Sequence, residues 1–306
     1  MDSVSDKPLA VDEHDKRRAR PADMVIVLIV CVLIGLVYVP LLHWLGWMTW
    51  HTQQLLNGAV LVLFALAICL RDALDKLRVS ARISNEGLGL IALAFGCLWL
   101  AARWKALLLP LVLVSACLAF AGMVSFFFGR AGVRQFLPAV VAFFVFGVLA
   151  GLVPKLDWPL RALAARYAGG LLLALGVPVK LVLSLGQPAQ LALSIGHREF
   201  VVATECNGFG LLTSSLIVAT TLAFQYRMRW LDKLSLLAIA VPIAIVCNFV
   251  RIVSICLVAP RTSLPYGFVH ETLGLIFYFL GLVLIWKIAA QYKPGAPTHA
   301  EPRPPA

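Results

Sequence analysis

One of the seven cysteines in this 306-residue chain has a polar setting. Cys206 lies in the segment 204–210 (TECNGFG), between a strand-like region and a long apolar run. Near a helix N-terminus, unsatisfied N–H groups and the helix dipole favour a thiolate, and Gly208 would allow another backbone to approach closely. Cys206 is therefore a candidate nucleophile, supported by Gly208 and Glu205. The alternative is a cysteine that only packs, with Asn207 capping the helix.

Arg251 and Asn248 place polar groups inside the next apolar run. They are three residues apart and share one helix face. An arginine within a lipid-spanning helix is costly and usually faces a partner or a wet cavity. Arg251 lies about 25 Å along the helix from Leu234, close to the outer edge of a ~30 Å hydrocarbon core. An arginine that snorkels to the interface is the alternative.

His270 and Glu271 open the last apolar run. Histidine is the side chain that exchanges protons near neutral pH. The alternative is an interfacial histidine, with Glu271 stabilising the first helical turn through the dipole. His197, at a predicted turn, is a second candidate proton carrier.

The composition indicates the elements that must position these residues. The chain is 61% hydrophobic and 13% charged, and its mean hydropathy is +0.91, whereas soluble domains carry about 25% charged residues. We therefore predict an all-α polytopic membrane protein, because lipid requires backbone groups to be satisfied within helices. Long unbroken apolar runs exclude a barrel. The net charge is +11. Its basic residues lie in short loops between the apolar runs, which indicates contact with anionic lipid and not with nucleic acid.

About eight spanning helices are predicted from the apolar runs. Their approximate limits are 24–45, 54–70, 87–103, 106–128, 134–153, 207–224, 234–258 and 270–287. Residues 1–23 form a basic cytoplasmic segment, 24–287 a single transmembrane domain, and 288–306 a Pro-rich, disordered cytoplasmic tail.

The basic residues predict the orientation. With the N-terminus in the cytoplasm, 17 of the 26 Lys and Arg residues fall on the inner side, which favours cytoplasmic termini in the cell (inner) membrane. Residues 159–178 are the exception to a simple layout. We interpret them as an interfacial or shallow re-entrant helix, because only 167–179 is strongly apolar. If they spanned the membrane, the sidedness of everything after them would reverse.

Period-2 alternation appears only between the fifth and sixth predicted spans. Residues 181–185 and 191–195 alternate, with turn signals at 186–188 and 196–197. Two or three short strands at about 180–203 are therefore predicted, as a small extracytoplasmic cap.

The predicted topology places Cys206, Arg251 and His270 at the same outer level of three consecutive spans. A thiol, a fixed cation and a proton carrier suit nucleophilic acyl transfer. Cys206 would attack a peptide carbonyl, Arg251 would stabilise the oxyanion, and His270 would transfer protons. The other six cysteines lie in apolar runs without paired spacing, so neither disulfides nor a metal site are expected, and no motif indicates a cofactor.

At these residues the chain resembles the exosortase/archaeosortase family. The likeness rests on Cys206-Asn207-Gly208, on 248–251 (Asn-Phe-Val-Arg) and on His270, with Gly274 and Phe277 also similar. It covers roughly 135–287, which would be the catalytic part. Asn-Gly-Phe at 207–209 departs from the commoner Ser-Gly-Leu or Ala-Gly-Leu type, which suggests a divergent subfamily.

The resemblance implies a cysteine protease or transpeptidase with a Cys-Arg-His site. Its substrates would be membrane-anchored proteins with a C-terminal sorting signal, made of a short motif, one membrane helix and a basic end. Two other functions stay open from the residues alone. One is a transporter or channel, in which Arg251 and Asn248 line a solute path. The other is a non-catalytic scaffold for envelope or exopolysaccharide assembly. Both would leave Cys206 dispensable.

Overall fold

Helices predominate in the computed structural model, which describes residues 21–77, 82–184, 190–195, 198–201 and 206–292. Eight α-helices are present in this part of the chain. They are α1 (Pro21–Val37), α2 (Val39–His51), α3 (Gln53–Lys76), α4 (Asn85–Arg103), α5 (Leu108–Ala174), α6 (Phe209–Gln225), α7 (Trp230–Val258) and α8 (Tyr266–Gln291).

The lengths and composition of these helices confirm the polytopic membrane class. Among the described residues, five helices are long and apolar enough to cross a membrane: α3, α4, α5, α7 and α8. The number rises to six if α1 and α2 count as one bent span. α6 is apolar but shorter, with 17 residues.

The first predicted span is bent and not straight. α1 and α2 meet at an angle of 55° around Tyr38, whose N–H bonds to the carbonyl of Gly35 at 3.0 Å. Pro40 occupies the second position of α2. Proline is tolerated in the first turn of a helix, where its missing N–H would have no partner within the helix, so Pro40 suits the start of a new helix.

α5 folds back on itself at Gly129. This glycine has φ 61° and ψ −160°, a conformation that other residues rarely adopt. Leu113 fills the space that a side chain at Gly147 would need, and the rings of Phe120 and Phe136 lie 5.9 Å apart. The arms 108–128 and 130–174 are therefore antiparallel.

The second arm of α5 continues where the sequence predicts a break. Helical structure passes through Pro154 and Pro159 to Ala174, so the separate helix predicted at 159–178 is instead an extension of the fifth span. Each proline removes one backbone hydrogen bond, but its fixed φ suits a helix. Apolar packing supports the extension, since Ala164 and Ala168 belong to a buried cluster that includes Ile252 of α7.

A three-stranded antiparallel sheet follows α5. Its strands β1 (Val179–Ser184), β2 (Gln190–Ile195) and β3 (Arg198–Val201) lie in the order β1-β2-β3. Leu193 pairs with Leu181 on one side and with Phe200 on the other. These three paired side chains lie on one face of the sheet. Leu193 and Phe200 are buried, whereas Leu181, on the edge strand β1, is exposed. The turns predicted at 186–188 and 196–197 lie outside the described residues.

Helices α3, α6 and α8 run in the same direction, with α6 in contact with both of the others. A side chain at Gly58 would collide with Thr213, and the hydroxyl of Tyr278 donates to Ser214 at 2.9 Å. The polar residues that open these three helices therefore lie at one end of the bundle.

Candidate active site

Cys206 lies in a tight turn immediately before α6. Gly208 adopts the left-handed conformation, with φ 82°, and the N–H of Phe209 donates to Oδ1 of Asn207 at 2.7 Å. This contact caps α6, as the sequence allowed. Cys206 itself is buried, with 5% of its surface exposed, so the packed cysteine and the capping asparagine coexist with a thiol near the helix N-terminus.

Asn248 fixes this turn from α7. Its Nδ2 donates to the backbone carbonyl of Cys206 at 3.0 Å. A Cβ atom at Gly208 would lie 2.8 Å from Cγ of Asn248, so only glycine allows this approach. Both predicted supporting residues thus hold the backbone that carries the thiol. The third, Glu205, lies outside the described residues, and so does His197.

His270 joins Cys206 and Arg251. Its Nε2 atom lies 3.0 Å from Sγ of Cys206 and 3.3 Å from a terminal guanidinium nitrogen of Arg251. The structure therefore brings together the three side chains that the sequence predicts at one level. α8 begins at Tyr266, so His270 lies in its second turn and not at its first residue as predicted.

The hydrogen-bonding capacity of each group restricts the protonation of His270. A guanidinium can only donate, so its contact with Nε2 uses the lone pair of that nitrogen. With the ring proton on Nδ1, this single lone pair can accept either from the guanidinium or from the thiol. This arrangement can accept a proton from Cys206 and holds a fixed positive charge beside the sulfur.

A cavity of about 610 Å³ opens beside this cluster. Both Arg251 and His270 line it. Cys206 faces a separate crevice of about 20 Å³, which it shares with Phe200 of β3 and Tyr266 of α8. Cys206 is not among the residues that line the larger cavity, whereas its partner His270 is.

Asp157 is a site residue that sequence reasoning missed. Its Oδ1 accepts a 2.7 Å hydrogen bond from Nδ2 of Asn207, and the same carboxylate pairs with Arg161. The side chains of Asp157 and Arg161 are only 22% and 16% exposed. An acid and a base four residues apart beside an apolar run is a signal that could have drawn attention to this pair.

The amide side chains that open α3 were also missed. Gln53, Gln54 and Asn57 line the larger cavity opposite Arg251 and His270. Three polar residues within five positions at the start of an apolar run form a detectable pattern. Their distance in sequence from Cys206 hides the relationship.

Comparison with known proteins identifies the family. Residues 33–287, most of the chain, match the family described as transmembrane exosortase. No curated protein and no solved structure matches this chain. The resemblance seen at the three polar segments thus extends from α1 to α8, and the chain belongs to the transmembrane exosortase family.

Proposed function

We propose that this protein is a membrane-embedded cysteine protease or transpeptidase that cleaves the C-terminal sorting signals of exported, membrane-anchored proteins. The contact of Cys206 Sγ with His270 Nε2 at 3.0 Å carries this proposal. A nucleophile and a base within hydrogen-bond reach of one another are the signature of nucleophilic catalysis. Arg251, on the same imidazole nitrogen, supplies the cation.

The first half of the reaction forms an acyl-enzyme. Nε2 of His270 takes the proton of the Cys206 thiol, and the sulfur attacks the carbonyl carbon of the scissile peptide bond. The guanidinium of Arg251 stabilises the resulting oxyanion. The C–N bond then breaks, His270 returns the proton to the leaving amine, and the substrate remains attached to Cys206 as a thioester.

The second half releases the substrate. An amine or hydroxyl group of an acceptor, or a water molecule, attacks the thioester carbonyl, and His270 takes a proton from this nucleophile. The C–S bond breaks, and the proton returns from His270 to the sulfur of Cys206. Transfer to an amine or hydroxyl is transpeptidation or ester formation, whereas transfer to water is hydrolysis.

Protonation of His270 affects Arg251 directly. Once Nε2 carries the thiol proton it can no longer accept from the guanidinium, and the two become adjacent donors. Arg251 then turns towards the thiolate or the carbonyl oxygen, where negative charge develops. The shared nitrogen thereby couples the proton transfer to the delivery of the cation.

The proposal places the site at the outer membrane face of the cell membrane. It takes the two arms of α5 as separate spans and includes α6, which gives eight spans with cytoplasmic termini. The sheet β1-β2-β3 then lies outside the membrane as the predicted cap. The distribution of Lys and Arg, 17 of 26 on the inner side, supports this orientation.

Replacement of the nucleophile tests the function. Cys206→Ala should abolish the processing of membrane-anchored proteins with a C-terminal motif, helix and basic end, measured by the mass of each candidate substrate in the same cell. Cys69→Ala is a matched control. Cys69 is also 5% exposed, but it lies near the C-terminal end of α3, far from the residues that line the larger cavity. A Cys206→Ala protein that still processes its substrate would refute the mechanism and favour a transporter or scaffold.

A further inference from the structure

The small crevice beside Cys206 lies between the sheet, α7 and the start of α8. Four of the residues that line it are buried: Leu193 and Phe200 in the sheet, and Ile252 and Ile255 in α7. Two others, Val201 in β3 and Tyr266 in α8, are 41% and 48% exposed. The crevice is therefore closed towards α7 and open at the surface between β3 and α8.

The proposed chemistry indicates which part of a substrate faces this crevice. Besides the attacking sulfur, the reacting carbonyl carbon carries its oxygen, the leaving nitrogen and the Cα atom of the residue whose carbonyl is attacked, which we call the acyl residue. The oxygen turns to Arg251 and the nitrogen to His270, and both of these side chains line the larger cavity. The acyl residue is the third substituent, and the space that Cys206 itself lines is the crevice.

The volume and the lining of the crevice restrict the side chain that it can hold. A cavity needs about 10–15 Å³ to hold one water molecule, so a crevice of about 20 Å³ has room for a group of roughly the size of a methyl. The lining side chains of the sheet and α7 named above are hydrocarbon, so a charged or amide group would lose its water without compensation. A larger apolar side chain would have to displace packed core residues.

We propose that this crevice is the binding pocket for the acyl residue of the substrate and that it selects alanine, whose side chain is a single methyl group. The assignment rests on the proposed function, because it takes Cys206 as the nucleophile. Glycine leaves the crevice empty, whereas valine and larger side chains exceed its volume. In this arrangement the sheet has a role in specificity, since Leu193 and Phe200 form one wall of the pocket.

Cleavage of a varied peptide by the full-length protein tests this assignment. The peptide is synthetic and has a polar segment, an apolar helix of about 20 residues, the length that spans a bilayer, and a lysine end. It is reconstituted with the protein in phospholipid vesicles. The masses of its products locate the scissile bond, and the acyl residue of the peptide is then varied among glycine, alanine, valine, leucine and aspartate.

The wild-type protein should cleave the alanine peptide with the highest kcat/KM. One methylene more or fewer in an apolar pocket changes kcat/KM about 10–200-fold, so the glycine, valine and leucine peptides should each fall at least about tenfold below it, and so should aspartate. Equal kcat/KM values for alanine, leucine and aspartate, or a preference for leucine or aspartate, would overturn this proposal and leave the proposed function standing. Failure to cleave any of the peptides would overturn both.

Two substitutions in the lining should change the selectivity in opposite directions. Ile255→Ala enlarges the pocket and should raise kcat/KM for the leucine peptide, relative to the alanine peptide, at least about tenfold. Cys256→Leu, at another lining position in α7, fills the pocket and should move the preference from alanine to glycine. A ratio of two peptides within one variant does not depend on the fraction of folded protein, so partial unfolding cannot produce these shifts.

Ile217→Ala in α6 is the matched control. Ile217 is 1% exposed but does not line the crevice, so its truncation should lower stability and leave the ratio of the leucine and alanine peptides unchanged. An unchanged ratio in Ile255→Ala, or the same shift in Ile217→Ala, would overturn the assignment of the pocket.

Discussion

At the residue scale, the guanidinium of Arg251 lies between His270 and Gly274. It contacts His270 on one side, and Gly274 gives it space on the other, since a Cβ at that position would lie 3.1 Å from the terminal nitrogen. A bulkier residue at 274 would displace the cation. The position of Arg251 therefore requires a small residue at position 274 of this chain.

Replacement of Arg251 by lysine should impair processing severely. Lysine keeps the charge but lacks the planar fork of donors, so it cannot contact His270 and then an oxyanion in the same way. Loss of an oxyanion donor typically lowers kcat about 10²–10³-fold, and we expect a loss in that range from single-turnover cleavage of the peptide. Arg261→Lys is the control, because Arg261 is exposed and donates to the carbonyl of Leu257, one turn earlier in the chain. Full activity of Arg251→Lys would mean that charge alone suffices.

At the scale of single elements, the turn before α6 determines the position of the Cys206 thiol. Gly208→Ala should lower both thermal stability in detergent and cleavage. The left-handed conformation costs a non-glycine residue roughly 1–2 kcal/mol, and the new methyl group would push Asn248 away from the carbonyl of Cys206. Gly170→Ala in α5 is the matched control, since a Cβ at that position meets nothing within 4 Å. If Gly208→Ala retains normal activity and stability, this turn does not position the thiol.

The extension of α5 contributes to the same turn. Asp157→Ala should reduce activity and stability together, because Asn207 loses its acceptor and the largely buried Arg161 loses its carboxylate. Breaking a buried pair by removing one partner typically costs about 3–5 kcal/mol of stability. Because the pair here is partly exposed, we expect a smaller loss in the free energy of unfolding, measured by urea titration. Asp232→Ala breaks an ion pair whose arginine, Arg229, is 89% exposed, and it should have little effect. Equal effects of the two variants would contradict a positioning role for Asp157.

The orientation in the membrane is a property of the whole molecule. We expect both termini and the loop 225–233 to be cytoplasmic, which accessibility of single introduced cysteines to a membrane-impermeant reagent would show. The parallel course of α3, α6 and α8 requires their first residues to share one side, so a cysteine at position 265 should be labelled from outside. Labelling of the 225–233 loop from outside would place the candidate site on the cytoplasmic side.

The sequence by itself determined the class of the fold and the residue types of the site. Long apolar runs indicate lipid as the solvent, and alternation between 181 and 195 indicates strands. Arg251 and His270 stand out because lipid penalises charged and ionisable side chains, and Cys206 stands out because its neighbours are polar. Each of these signals is local, since the side chains and their spacing are read within one segment.

Only the tertiary structure decided how the segments face one another. The rotation of each helix about its axis brings Cys206 to His270 across 64 positions of sequence and Asn207 to Asp157 across 50. The continuation of α5 through Pro154 and Pro159, and the place of Gln53 and Asn57 in the larger cavity, depend likewise on packing between distant elements. Hydrophobicity and spacing fix the depth of a residue in the membrane, but its direction around the helix follows from the contacts of the folded chain.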